Sequence, residues 1–141
     1  MTIYRYGRSS SARLAEVHTD LQKLFREVLI SSPWDIGILS GFRTKEEQNA
    51  IYHRGASQRD GVILKSKHQE RLAVDFGVYV KGKYINGDTP GEELVYYAVI
   101  GHILATAKRM NIPVRSGSDW DRDGDFSDNG FKDLGHIEYV L

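Results

Sequence analysis

Cysteine is absent from this chain of 141 residues. That excludes a disulfide framework and any metal site built on thiolates. A bound metal has to rest on His, Asp or Glu. An excess of one charge is missing too, since 19 Lys and Arg balance 19 Asp and Glu. There is no global basic field of the kind that draws proteins to nucleic acid, and no nucleic-acid partner is expected. No apolar run is long enough to span a bilayer, so membrane insertion is not expected. The stretch Met1-Thr2-Ile3-Tyr4-Arg5-Tyr6-Gly7-Arg8 lacks the apolar core of a secretory signal. Synthesis in a cytoplasm is expected, with release by something other than a leader. No internal repeat, low-complexity tract or linker interrupts the chain. Its length suits one hydrophobic core, and 1–141 is expected to form a single domain.

What is present is a pattern of helices and short strands. Leu14, Val17, Leu21, Leu24, Val28 and Leu29 recur at helical spacing and predict a helix over Ser11–Ser32, ended by Pro33. Ile36–Ser40 reads as a strand. A second helix is expected over Lys45–Arg54, with Thr44 and Glu47 forming a capping box and Gly55 as its stop. Ala56–Lys67 is polar and reads as a loop. Leu72–Val80 alternates around Val74, Phe76 and Val78 and meets a turn at Lys81-Gly82-Lys83, which predicts a hairpin with Tyr84-Ile85. Glu92–Met110 reads as a long helix with Leu94, Val95, Ala98, Ile103 and Leu104 on its buried face. Strands are expected at Pro113–Ser118 and His136–Val140, with an acidic, glycine-containing loop, Asp119–Asp133, between them. The class is α+β, with helices around a small antiparallel sheet.

Three residues stand out as a ligand set. His68 precedes a strand, Asp75 lies within it, and His136 begins another. Two imidazoles and a carboxylate suit catalytic zinc, with the fourth position left to water. Spacing alone does not single them out. The local H-E-x-x-H signature is missing, and His18, His53 and His102 lie on predicted helices. Asp133 stands three residues before His136, where a carboxylate can accept a proton from an attacking water. It can equally be a turn residue or a calcium ligand. Arg43 follows a glycine at a strand end and can stabilise an oxyanion, or form a surface salt bridge.

Gly41-Phe42-Arg43-Thr44, Ser66-Lys67-His68, Ala73-Val74-Asp75-Phe76, Gly117-Ser118-Asp119-Trp120 and Asp133-Leu134-Gly135-His136-Ile137-Glu138 occur in that order. This ordered set resembles the phage L-alanyl-D-glutamate peptidases, which group with D-alanyl-D-alanine carboxypeptidases, D-Ala-D-Ala dipeptidases and hedgehog-like zinc domains. The resemblance runs from about Tyr6 to the end. It implies zinc on His68, Asp75 and His136, Asp133 as general base, Arg43 as a substrate or transition-state contact, and Ser66 beside the site. It implies an endolysin acting on peptidoglycan stem peptides, released to the wall at lysis, and a monomer is expected. Arg71 stands where relatives often carry glycine, which predicts a change in the local turn.

Asp119, Asp121, Asp123 and Asp125 alternate ahead of His136, with Gly124 at the sixth position. This matches the first half of an EF-hand loop and makes calcium a second expected cation. The twelfth position is Gly130 rather than Glu, so a standard EF-hand is excluded. A solvated acidic loop is the plain alternative. Calcium here would order the segment that leads to Asp133 and His136. A D-Ala-D-Ala peptidase, a non-catalytic zinc module for wall binding and a calcium-binding structural protein remain the competing readings.

Overall fold

A computed structural model describes residues 2–141. The first apolar stretch is two helices rather than one: α1 (Arg8–Leu14) and α2 (Thr19–Ile30). His18 breaks the run. Its backbone leaves helical geometry, and its Nδ1 accepts a hydrogen bond from the Asp20 backbone N–H at 3.1 Å. That N-cap restarts the helix on a new axis. Helical spacing survives across the break because Leu14 and Val17 are both buried.

Strand β1 (Asp35–Ser40) follows Pro33, and α3 (Lys45–His53) opens with the expected capping box. Thr44 Oγ1 accepts from Glu47 N–H at 3.1 Å, and Glu47 Oε1 accepts from Thr44 N–H at 3.0 Å. A 3-10 turn, Lys67–Glu70, closes the long loop. Strand β2 (Ala73–Val80) turns through Lys81-Gly82 into β3 (Lys83–Ile85). Both turn residues have positive φ, as a tight two-residue hairpin requires.

Helix α4 (Pro90–Met110) starts at Pro90, with Thr89 as its cap. Its buried face matches the expected one only in part: Ile103 is buried as expected, and Val95 and Leu104 are partly buried against the core. Tyr96, Val99, Ile100, Ile103 and Ala107 are buried, whereas Leu94 is 71% exposed. Tyr96 sets the rotation: its hydroxyl donates to Ile85 O at 2.7 Å and accepts from Val78 N–H at 3.3 Å. Strands β4 (Val114–Gly117) and β5 (Asp133–Tyr139) complete the fold; β5 begins at Asp133, earlier than the expected His136.

The sheet is antiparallel, in the order β1-β2-β5-β4, with β3 also paired to β2. Because side chains alternate along a strand, Val74, Phe76, Val78 and Ile137 point one way, into a core shared with Leu21, Leu24, Phe25, Val28, Val99, Ile100 and Ile103. Asp75, His136 and Glu138 therefore point the other way. Two glycines let the strands approach closely around it. A Cβ on Gly135 would sit 2.6 Å from Phe76 O, and one on Gly117 would overlap Asp133 O and sit 3.0 Å from the His136 Cβ. Larger residues at either position would push β5 out of place. The α+β architecture is the expected one.

Candidate metal centre and its cleft

Register brings the first two residues together. Asp75 on β2 lies directly opposite His136 on β5, and Ser40 at the end of β1 lies opposite Asp75. His68 arrives from the 3-10 turn, whose start is capped by Ser66: the Ser66 hydroxyl accepts from His68 N–H at 3.2 Å. His68 Nε2 lies 3.2 Å from Asp75 Oδ1, and His136 Nδ1 lies 3.1 Å from the same oxygen. All three residues are close enough to hold one metal ion.

Hydrogen bonding on the far side of each ring shows why a cation fits. His68 Nδ1 sits 2.7 Å from Gly41 O, an acceptor only, so Nδ1 carries the proton. In the neutral ring Nε2 then presents its lone pair to Asp75. His136 Nε2 sits 2.9 Å from Glu138 Oε1, which likewise leaves Nδ1 facing Asp75. Two imidazole nitrogens converging on one carboxylate oxygen repel it unless a proton or a cation lies between them. Carboxylate and carbonyl partners behind the rings are also what orients metal-binding histidines. A tetrahedral ion with bonds of about 2.0–2.1 Å sets its ligand atoms about 3.3 Å apart, close to the spacings found.

Without a metal, protons take its place. Desolvation opposes the His136 imidazolium, but hydrogen bonds to Asp75 and Glu138 outweigh it and raise this histidine to about 9. Burial would raise Asp75, yet the hydrogen bonds and charges of His136 and His68 hold its carboxyl far below the ordinary range. Glu138 is also held low: burial opposes ionisation, but the His136 hydrogen bond and the Arg115 charge prevail. Arg115 Nη2 lies 2.9 Å from Glu138 Oε2.

Arg43 is fixed on three sides. Its Nη2 donates to Asp75 Oδ2 at 2.6 Å, Nη1 to Gln48 Oε1 at 3.0 Å and Nε to Ser40 Oγ at 3.1 Å. Of the five N–H donors of a guanidinium, two are left over. Asp133 stands at the exposed rim. Partial desolvation, then the negative charge of Asp75, pushes its carboxyl above the ordinary aspartate value. Arg43, Ser66, His68, Asp75, Asp133 and His136 all line one cleft of about 720 Å³. His18, His53 and His102 do not reach it.

Several further residues reach the cleft through the fold. Glu138 and Arg115 lie 23 positions apart and meet only through the pairing of β4 with β5. Trp120 and Phe131 stack with their ring centroids 6.4 Å apart and line the cleft. Tyr79 and Tyr84 lie outside the cleft and pack on each other across β2 and β3, with centroids 5.6 Å apart. Arg71 takes the left-handed conformation, φ 63°, that glycine adopts freely. Its side chain is tied down, with Nη1 donating to Glu16 O at 2.7 Å and the guanidinium 4.0 Å from the Phe42 ring centre.

In the acidic loop, Asp119, Asp121 and Asp123 offer oxygens close enough for one cation. Asp119 is buried and accepts from Gly124 N–H at 2.9 Å. Asp125 is turned to Ser127, whose N–H and hydroxyl both donate to its Oδ1. Asp128 is pushed up to about 6, first by its hydrogen bond with Asp123 and then by desolvation and the surrounding carboxylates.

The structure is thus that of a small α+β protein with a metal-capable His-Asp-His centre on the open face of its sheet. The phage L-alanyl-D-glutamate peptidase family matches residues 1–140. The L-alanyl-D-glutamate peptidase of Escherichia phage T5 is 34% identical over 140 residues, spanning 97% of this chain and 98% of that one. This chain therefore belongs to the phage L-alanyl-D-glutamate peptidase family. Its fold resembles that of the L-Ala D-Glu endopeptidase ChiX from Serratia marcescens, with a TM-score of 0.73 at 23% identity over 96% of this chain and 90% of the other.

Proposed function

We propose that this protein is a zinc-dependent endopeptidase that hydrolyses the bond between L-alanine and D-glutamate in peptidoglycan stem peptides, and that it acts as an endolysin. The observation that carries this reading is the convergence of His68 Nε2 and His136 Nδ1 on Asp75 Oδ1 inside a cleft that also holds Asp133 and Arg43. Membership of the peptidase family supplies the bond. In this reading the whole chain, 1–141, is one catalytic domain. It acts as a monomer, made in the host cytoplasm and released to the wall at lysis.

His68, Asp75 and His136 would hold the metal. Bound zinc supplies the Lewis acidity that makes water a usable nucleophile near neutral pH. Asp133 takes the proton of the attacking water and passes it to the leaving amine nitrogen of D-glutamate. Arg43 holds Asp75 in place and offers its two remaining N–H groups to the oxyanion. Ser66 fixes the turn that carries His68 and borders the substrate.

Calcium is the second cation of the proposal, on Asp119, Asp121 and Asp123, with Asp125 next to them. Clustered carboxylates repel until neutralised, which favours a divalent ion. Calcium would stiffen the segment between β4 and β5, and with it Asp133.

The test pairs metal analysis of the purified protein with identification of the new amino termini in a peptidoglycan digest. One zinc per chain and new D-glutamate termini are expected. New D-alanine termini would point to a D-Ala-D-Ala peptidase, and zinc binding without cleavage to a wall-binding module.

A further inference from the structure

One side of the cleft has a charge that the proposed chemistry does not use. Arg54, Arg59, Lys65 and Lys67 line it together with the metal-capable residues. In a chain of zero net charge, these four cations, beyond Arg43 and Arg115, outnumber the two remaining carboxylates of the cleft, Glu70 and Asp133. The side chains of Arg54, Arg59 and Lys65 make no hydrogen bond or ion pair among the described residues, and Lys67 has only a loose contact with Glu70 at 3.9 Å. The carboxylates nearest the centre are already matched, Asp75 by Arg43 and Glu138 by Arg115.

The segment that carries these cations is built to hold its shape. Gln48 is fully buried. Its amide nitrogen donates to Ser57 Oγ at 2.9 Å and Arg59 O at 2.8 Å, while its oxygen accepts from Arg43 at 3.0 Å. One side chain therefore ties the cationic loop to the arginine that touches Asp75. Asn49 donates to Asp60 O at 2.9 Å, and Gln69 donates to Gly61 O at 2.9 Å. Asp60 Oδ1 accepts the N–H groups of Val62, Ile63 and Leu64. A loop pinned this way fixes the backbone positions from which Arg59 and Lys65 reach the cleft, so only their side chains have to be ordered when a ligand arrives.

We infer that Arg59 and Lys65, flanked by Arg54 and Lys67, form a subsite for the free carboxylate of the glutamate residue that follows the scissile bond. The inference rests on the peptidase reading above and specifies its substrate. Glutamate has two carboxyl groups, and continuing the peptide uses at most one. The other lies within a few bonds of the leaving nitrogen, next to the metal centre. A cationic wall beside that centre recognises it through charge-assisted hydrogen bonds and rejects a peptide in which the same group is an uncharged amide.

The experiment compares two synthetic peptides that share the L-alanyl-D-glutamyl linkage, one with the free carboxylate and one with that carboxyl amidated. The zinc-loaded protein should favour the free acid by about tenfold or more in kcat/KM, mainly through KM, with the preference shrinking as ionic strength rises. In Arg59→Gln, Lys65→Gln and the double variant that preference should fall toward unity. The readout is a ratio between two substrates, so a partly unfolded sample does not alter it. Equal cleavage of both peptides by the native protein overturns the subsite and leaves the peptidase reading standing. So does a preference that survives in the double variant. Cleavage of neither peptide overturns the peptidase reading, and the subsite with it.

Discussion

The two cation-capable groups among the described residues are built in opposite ways. His68, Asp75 and His136 come from a 3-10 turn and two strands, and converge on the face of the sheet away from the core. Asp119, Asp121 and Asp123 come from one short stretch of chain. His68 and His136 are buried and have a partner behind each ring; in the acidic loop Asp121 and Asp123 are exposed. The first group is rigid before any ion arrives, because strand pairing and the core hold it. The second is held by local turns and by Asn129, which bonds to Ser118 and Trp120 across the loop, with no strand pairing under Asp121 or Asp123. The expectation is a tight, permanent ion at the first and an exchangeable one at the second.

The largest effect should come from breaking the centre on the sheet. Asp75→Asn keeps the shape and removes the charge on which both histidines converge. Zinc content should drop to near zero and cell-wall hydrolysis with it; a variant that keeps one zinc per chain would remove Asp75 from the ligand set. Asp133→Ala should separate binding from chemistry. Turnover should fall by about 10²–10⁴-fold at unchanged zinc content, and loss of zinc would make Asp133 a ligand instead. In the metal-free protein the Asp133 carboxyl should titrate above the ordinary aspartate value, read by NMR, because desolvation and Asp75 disfavour its charge.

Glu138 offers a finer cut on the same side. Glu138→Ala removes the acceptor behind His136 and should weaken zinc by about 10–100-fold, measured by competition with a chelator. Unchanged affinity would mean that strand pairing alone orients the ring. On the other side of the comparison, Asp121→Asn should weaken calcium and leave zinc untouched. The sign of the pH effect follows from Asp128, pushed up to about 6 first by its hydrogen bond with Asp123, one of the proposed calcium ligands, and then by desolvation and the surrounding carboxylates. Calcium has to displace that proton, so its affinity should fall as pH drops through about 6 and level off above it; calorimetry in both ranges checks this. The smallest effect belongs to Arg71→Gly. Relief of the left-handed backbone is worth about 1 kcal/mol, and loss of the Glu16 and Phe42 contacts costs about as much. Stability should change by less than about 1 kcal/mol in a thermal melt.

Much of the fold was legible in the sequence because it is locally encoded. The alternation through Val74, Phe76 and Val78, the Lys81-Gly82 turn and the Thr44/Glu47 capping box all act within a few residues, and the structure carries each of them. The break at His18 was hidden because the apolar spacing runs straight across it. The buried face of α4 was misjudged in part because that helix is apolar most of the way round, and a distant contact, Tyr96 to the β2–β3 hairpin, selects the face.

By itself, then, the sequence determined the α+β class, the absence of thiolate chemistry, most of the helices and strands, and the residues able to hold a cation. Tertiary structure decided what those residues face. Only strand register sets Asp75 against His136 and Arg115 against Glu138. Only the packing of the loop over Gln48 carries Arg59 and Lys65 to the cleft. The reason is physical: turns and caps are short-range and leave a mark in neighbouring residues, whereas a site assembled across strands depends on pairings between positions far apart in the chain.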